Sequence, residues 1–265
     1  MFSHAIKKYT LLASTSLASK LAYPLDALVR SIFFAMVLFI FTKLWSTLLG
    51  ADRAILGFSR AQMVWYLMAT ESIMLSNARI ERRIEDEVKS GAVAYTLVRP
   101  LHFVWYQCAI FCGETLGHFL LNAIVGAAVA FALVGLPPAS LASIPAVLLV
   151  AAMAFLMQFF IKVTIAMLAF WVEDTQPFFW VYSKILFTLG GLFVPIDVYP
   201  EWLKRIAEIL PFNYVLYQPA RLFVSFDKEA FLRAAGMQVL WVVALVVLAF
   251  FTFRRGVKKV SVNGG

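Results

Sequence analysis

Six long apolar runs dominate this sequence, each near the roughly 20 residues that a helix needs to cross a hydrocarbon core. They cover 25–44, 61–78, 103–134, 143–171, 178–194 and 235–253. Backbone amides have no water to bond to inside lipid, so runs of this length commit the chain to helices. The expected fold class is all-α integral membrane, with six transmembrane helices in one membrane domain spanning 1–265. A hydrophobic fraction of 62% and a mean hydropathy of +0.84 exclude an ordinary soluble domain. The run 103–134 is long enough to tilt or to extend past the bilayer, and Pro137 and Pro138 end it. Pro24 opens the first run, where Asp26 and Arg30 stand four apart and can pair near the headgroups. A polar turn around Gly50 to Arg53 follows it.

The formal net charge of +8 does not point to nucleic acid, because the basic residues sit at the ends of apolar runs and form no basic stripe interleaved with aromatics. They orient the chain in a lipid bilayer instead. Lys7, Lys8 and Lys20, the stretch from Arg79 to Arg99, and Arg254, Arg255, Lys258 and Lys259 all fall on one side if there are six crossings. That side is expected to be the cytoplasm, with both termini there and the protein multi-pass in a bacterial-type cytoplasmic (inner) membrane. The opposite side takes the loop of Asp52 and Arg53, the loop around Pro137, and the segment 196–234, whose acidic and basic residues balance.

Residues 1–24 fail as a signal peptide, since Ser14, Thr15, Ser16, Ser19 and Lys20 interrupt any apolar core. Phe2, Ile6, Tyr9, Ala13 and Leu17 recur at helical spacing, which suits an amphipathic helix lying on the membrane surface; a plain N-terminal tail is the alternative. Between Pro200 and Pro211, the residues Trp202, Leu203, Ile206, Ile209 and Leu210 form one apolar face of a second amphipathic helix, expected at the outer interface.

The densest charge lies in 79–101. Ile80, Ile84 and Val88 share one helical face, while Arg82 with Asp86, Arg83 with Glu87, and Glu85 with Lys89 sit four apart and can pair. Gly91 is expected to end that helix, and a second short run, 92–98, stops before Arg99 and Pro100.

Three features together resemble permeases of the ABC-2 superfamily, the membrane subunits of ATP-binding cassette exporters. One is the helix Ile80-Glu81-Arg82-Arg83-Ile84-Glu85-Asp86-Glu87 running into Lys89-Ser90-Gly91 and Leu97-Val98-Arg99-Pro100-Leu101. The next is Leu192-Phe193-Val194-Pro195-Ile196, followed by Tyr199-Pro200 and Leu210-Pro211-Phe212, similar to an outer re-entrant region after the fifth helix. The last is the six-span layout with an N-terminal surface helix. The resemblance implies a homo- or heterodimer of permeases. It also implies a separate ATP-binding cassette ATPase docked on a coupling helix in the cytoplasmic loop between spans two and three, and an outer gate region around Pro195, Trp202 and Pro211. No G-x-x-x-x-G-K-[ST] phosphate loop occurs, so the chain is not expected to be an enzyme or to bind a cofactor itself; ATP and magnesium belong on the partner ATPase. In this reading the Ile80/Ile84/Val88 face inserts into a groove on the ATPase, and Arg82, Arg83, Glu85 and Glu87 form a polar rim around it, with Gly91 closing the contact helix.

Ionisable groups inside apolar runs are functional candidates. Glu71 lies in the second run, Glu114, His118 and Asn122 form a stripe in the third, and Lys162 sits well inside the fourth. They suit either a translocation path or structural hydrogen bonding between helices. An ion-gradient-driven secondary transporter using Glu71, Glu114 and Lys162 as a proton relay is the alternative function. Cys108, Cys112 and His118 supply too few ligands for structural zinc, so no metal site is expected. Gly113 and Gly117 in the same run suit the close approach of another helix.

Overall fold

The computed structural model describes residues 2–22, 24–49, 57–98 and 101–263. Among them the regular elements are all helices: α1 (Phe2–Leu21), α2 (Pro24–Leu49), α3 (Arg60–Leu75), α4 (Ile80–Lys89), α5 (Val93–Val98), α6 (Phe103–Val134), α7 (Ile144–Ala166), α8 (Gln176–Leu189), α9 (Glu201–Ile209), α10 (Tyr217–Val224) and α11 (Lys228–Asn263). Short 3₁₀ turns flank α7 at Leu141–Ser143 and Met167–Phe170, and others lie at Ile196–Val198 and Pro211–Tyr214. The side chains of the expected Asp26–Arg30 pair are not among those described, and the polar turn from Gly50 to Arg53 lies outside the described residues.

Three helical stretches are long and apolar enough to cross a membrane: Phe103–Val134, Leu141–Phe170 and Lys228–Lys259. Ser31–Thr47 within α2 is a shorter apolar helix. The runs 61–78 and 178–194 form shorter helices than expected, 16 and 14 residues in α3 and α8. Local chemistry explains both. α3 begins at a capping box, in which the Ser59 hydroxyl accepts from the Gln62 N–H and the Gln62 side chain accepts from the Ser59 N–H, and it gives way at Ser76. α8 ends at Gly190, and Gly191 then turns the chain with a φ of 69°, in the left-handed region that a side chain disfavours.

α1 is a helix, as its periodicity requires, but it does not rest on the bilayer alone. It packs lengthwise on α6: the Tyr9 hydroxyl accepts from the His102 N–H at 3.2 Å, and a Cβ on Gly113 would stand 2.1 Å from the Ala13 carbonyl oxygen. One turn on, a Cβ on Gly117 would stand 3.1 Å from the end of the Leu17 side chain. The paired glycines of α6 therefore admit the N-terminal helix, by the close backbone approach that small residues permit.

Elsewhere α6 packs against α2 and α3, and α7 packs along α11. One apolar core gathers Phe111, Phe159, Phe160, Val163 and Phe170 around α7. A second joins Phe34 and Leu38 of α2 to Met63, Val64 and Leu67 of α3. His102 and Phe103 at the start of α6 stack against Phe250 and Phe253 near the end of α11, so those two termini share one end of the molecule.

Candidate functional site: the α4 platform

α4 and its neighbours form the most heavily bonded charged cluster in the molecule, at the end where α6 starts and α11 finishes. The helix ends where expected: Gly91 has a φ of 74°, and its N–H donates to the Val88 carbonyl while the Ser90 N–H donates to that of Asp86. Its apolar face, expected to meet a partner, turns inward. Ile80 and Ile84 are 0% exposed and belong to the core around α7, with Val88 packed against the same cluster. The apolar face therefore holds α4 to its own chain and is not offered to a partner. A ten-residue helix carrying this many charges stays folded only by burying its single apolar stripe, and α7 with the turn Met167–Phe170 supplies the surface.

Of the four residues expected to form a polar rim, Glu85 is buried, and Arg83 and Glu87 are half-buried with bonds to α6. Glu85 is 3% exposed. Its carboxylate accepts from Lys89 Nζ at 2.5 Å, from the Thr175 hydroxyl at 2.8 Å, from Gln176 Nε2 at 2.9 Å and from the Thr175 N–H at 3.3 Å. Burial pushes this carboxyl upward, but the hydrogen bonds from Lys89, Gln176 and Thr175 outweigh it and bring it from 4.5 down to about 2. The bond to Glu85 in turn raises Lys89. Arg83 reaches α6 instead of Glu87, donating to Gln107 at 3.2 Å and pairing with Glu114 at 3.4 Å. Glu87 accepts from Gln107 at 3.4 Å.

Only Arg82 of the proposed rim is exposed, together with Asp86, Lys89 and Ser90. α5 adds Tyr95, 79% exposed, and Val98, 87% exposed. The outward surface of this region is thus a charged face of α4 beside a small apolar knob on α5.

The structure does not gather the intramembrane candidates into one path. Glu114 serves Arg83 of α4. Lys162 is not deep in its helix: α7 ends at Ala166, one turn later, and Lys162 Nζ donates to the Ala78 carbonyl at 3.1 Å and to Glu81 at 3.3 Å. Asn122 donates to the Ser76 hydroxyl at 3.1 Å, and Glu71 and His118 are buried within the bundle. At 32 residues, α6 is about 48 Å long against a core of about 30 Å. α6 is thus about 18 Å longer than that core, and α4 bonds to its first half, at Gln107 and Glu114. Among the described residues, no group of three or more His, Cys, Asp or Glu is arranged to hold a metal ion.

At the opposite end, α9 runs between Pro200 and Pro211, and its apolar face is left outward, with Trp202 at 65% exposure beside exposed Ile206 and Ile209. Pro211 is buried and opens the 3₁₀ turn Pro211–Tyr214, while Pro195 leads into Ile196–Val198. α3 secures this end: the Tyr66 hydroxyl donates to the Gly191 carbonyl, and Thr70 donates to that of Leu192 at 2.7 Å.

A family model for the ABC-2 family transporter protein matches residues 31–264. The chain belongs to the ABC-2 transporter family. No curated protein matches it. As an ABC-2 permease it is a multi-pass membrane protein of an ABC-type system, and the α4 cluster lies within the matched region. α1 and the start of α2 lie before the matched residues. Periodicity missed several residues of this ABC-2 permease's platform: Gln107, Thr175, Gln176 and Glu81. Thr175 and Gln176 belong to a short polar break, Glu173-Asp174-Thr175-Gln176, between two apolar runs, and that break was the only available sign of them.

Proposed function

We propose that this chain is the membrane-spanning permease subunit of an ATP-binding cassette exporter, working as a homo- or heterodimer with six crossings per subunit and both termini in the cytoplasm. α4 with α5 forms the docking surface for a separate ATPase, which binds ATP and magnesium. One observation supports this reading most: α4 is bonded at once to α6 through Arg83 and Glu87, to α7 through Glu81, and to the start of α8 through Glu85. A displacement of the docked ATPase at the exposed side of α4 reaches three bundle helices in the same step. That is a broader transmission than a push on α6 alone, and it suits a rigid-body switch between two packings of the bundle. The partner contacts the outward residues Arg82 and Asp86 and the α5 knob of Tyr95 and Val98, where charge sets register and the apolar pair supplies buried area.

The ion-gradient alternative has less support in the geometry. Glu114 and Lys162, which would have to pass protons, are each held in a separate ion pair with α4. Vesicles containing the permease, with and without the ATPase, test the choice. Cargo movement that needs the ATPase and ATP and ignores a proton uncoupler is the expected result; movement without ATPase that an uncoupler abolishes overturns it.

A further inference from the structure

Beside the α4 platform lies a half-open cavity of about 710 Å³ between α2, α3, α7 and α8, within the range of volumes that hold small ligands. Its two walls differ in chemistry. Arg79, Glu81 and Lys162 stand at one end with Asn77, Gln158 and Tyr182, while Val29, Phe33, Met74 and Leu186 make an apolar side. Val29 and Phe33 are exposed on α2, so the apolar side opens laterally, toward lipid if α2 spans the bilayer.

The polar end carries unfinished hydrogen bonding. Asn77 Nδ2 donates to Gln158 Oε1, which leaves Asn77 Oδ1 as an acceptor and Gln158 Nε2 as a donor, neither with a partner among the described residues. The Tyr182 hydroxyl has none either. Gln158 is 0% exposed and Tyr182 is buried, and buried polar groups are normally satisfied, so three such atoms around one cavity mark a place built for a ligand. Lys162 is already engaged by Glu81, which leaves the charge of Arg79 in excess at the rim. A group that accepts from Gln158 and donates to Asn77 is a hydroxyl, and the charge that suits Arg79 is an anion.

We propose that this cavity binds an anionic amphiphile with a hydroxylated head, such as a phosphatidylglycerol-type lipid, its phosphate toward Arg79, its hydroxyls on Asn77, Gln158 and Tyr182, and its chain along Val29 and Phe33. The site is independent of the ATPase, so binding is measured on the permease alone and a negative result leaves the coupling role standing.

The test titrates the purified full chain in detergent with dioctanoyl phosphatidylglycerol, dioctanoyl phosphatidylcholine and glycerol 3-phosphate. Phosphatidylglycerol is expected to bind at least about tenfold tighter than either of the others, and Tyr182→Phe and Gln158→Leu each to weaken it by about tenfold, the effect of one hydrogen bond to a charged or polar head. Leu141→Ala, an exposed residue at the far end of the helical stretch that carries Gln158, is expected to leave binding unchanged. Equal binding of the two lipids overturns the headgroup assignment, and glycerol 3-phosphate binding as tightly as the lipid overturns the role of the apolar wall. Because Tyr182→Phe removes a single oxygen and keeps the ring's packing, wild-type binding by that variant, with an unchanged unfolding midpoint, also counts against the site.

Discussion

Glu85 on α4 accepts a 2.8 Å hydrogen bond from the hydroxyl of Thr175, ninety residues further along the chain and immediately before α8. With Lys89 and Gln176 on the same carboxylate, this contact fastens α4 to a bundle helix with which it shares no chain continuity. A group whose folded pKa is depressed contributes stability above its unfolded value and loses it as pH falls through the folded one. For Glu85 that window runs from 4.5 down to about 2, and the drop corresponds to at most about 3 kcal/mol. The protection factor of the Thr175 amide, taken against intrinsic exchange at each pH, is expected to fall as the pH is lowered through this window. In Glu85→Gln that protection is expected to be lower already at neutral pH and no longer to fall with acid.

Charge on the two faces of α4 has opposite consequences. Ile84 is fully buried in the chain's own core, so Ile84→Asp places an unpaired carboxylate there and is expected to cost more than about 3 kcal/mol, seen as a fall in unfolding midpoint and in yield. Arg82→Glu alters an exposed position and is expected to change stability by no more than about 0.5 kcal/mol. If α4 docks an ATPase as proposed, the substitution nonetheless reduces that ATPase's association with the permease and its stimulation by it. An Arg82→Glu variant with normal association moves the docking surface elsewhere.

The sequence made α4 readable as a helix because Ile80, Ile84 and Val88 recur every four residues and Gly91 supplies the left-handed stop. Periodicity reports that a face is apolar, not what covers it, and a helix edge looks alike whether it meets another protein or its own α7. The same limit applies to charge: Arg83 has Glu87 at pairing distance in sequence yet bonds Glu114, because α6 brings a carboxylate and the Gln107 amide to the buried side of α4. The extent of α9 was legible, since Pro200 and Pro211 bracket it, and so was an apolar face, which leaves Trp202, Ile206 and Ile209 outward. The lengths of α3 and α8 were not, because Ser76 and Gly191 end those helices inside runs whose hydropathy continues.

Glycines in two helices make opposite predictions. A Cβ at Gly113 would lie 2.1 Å from a backbone oxygen of α1, so Gly113→Ala cannot be absorbed by a side-chain shift, and α1 must move off α6. Trypsin cleavage after Lys20, a half-buried residue on α1, is expected to accelerate several-fold in that variant. Gly236 in α11 has nothing within 4 Å of an added Cβ. Gly236→Ala is expected to raise stability by about 0.5–1 kcal/mol through helix propensity alone, measured as a higher denaturation midpoint.

The turn after α8 depends on two side chains of α3. Tyr66→Phe leaves the Gly191 carbonyl without its donor, and Thr70→Val does the same to Leu192, each at an expected cost of about 1–3 kcal/mol for an unsatisfied buried acceptor. Neither residue touches α4, which is held by Arg83, Glu81 and Glu85 at the other end of the bundle. Hydrogen exchange in the double variant is therefore expected to rise across 190–196 while the amides of α4 keep their protection. Equal loosening at α4 would show that the two ends open as one unit, and the platform would then be no more than part of a single cooperative bundle, not a separately fastened lever.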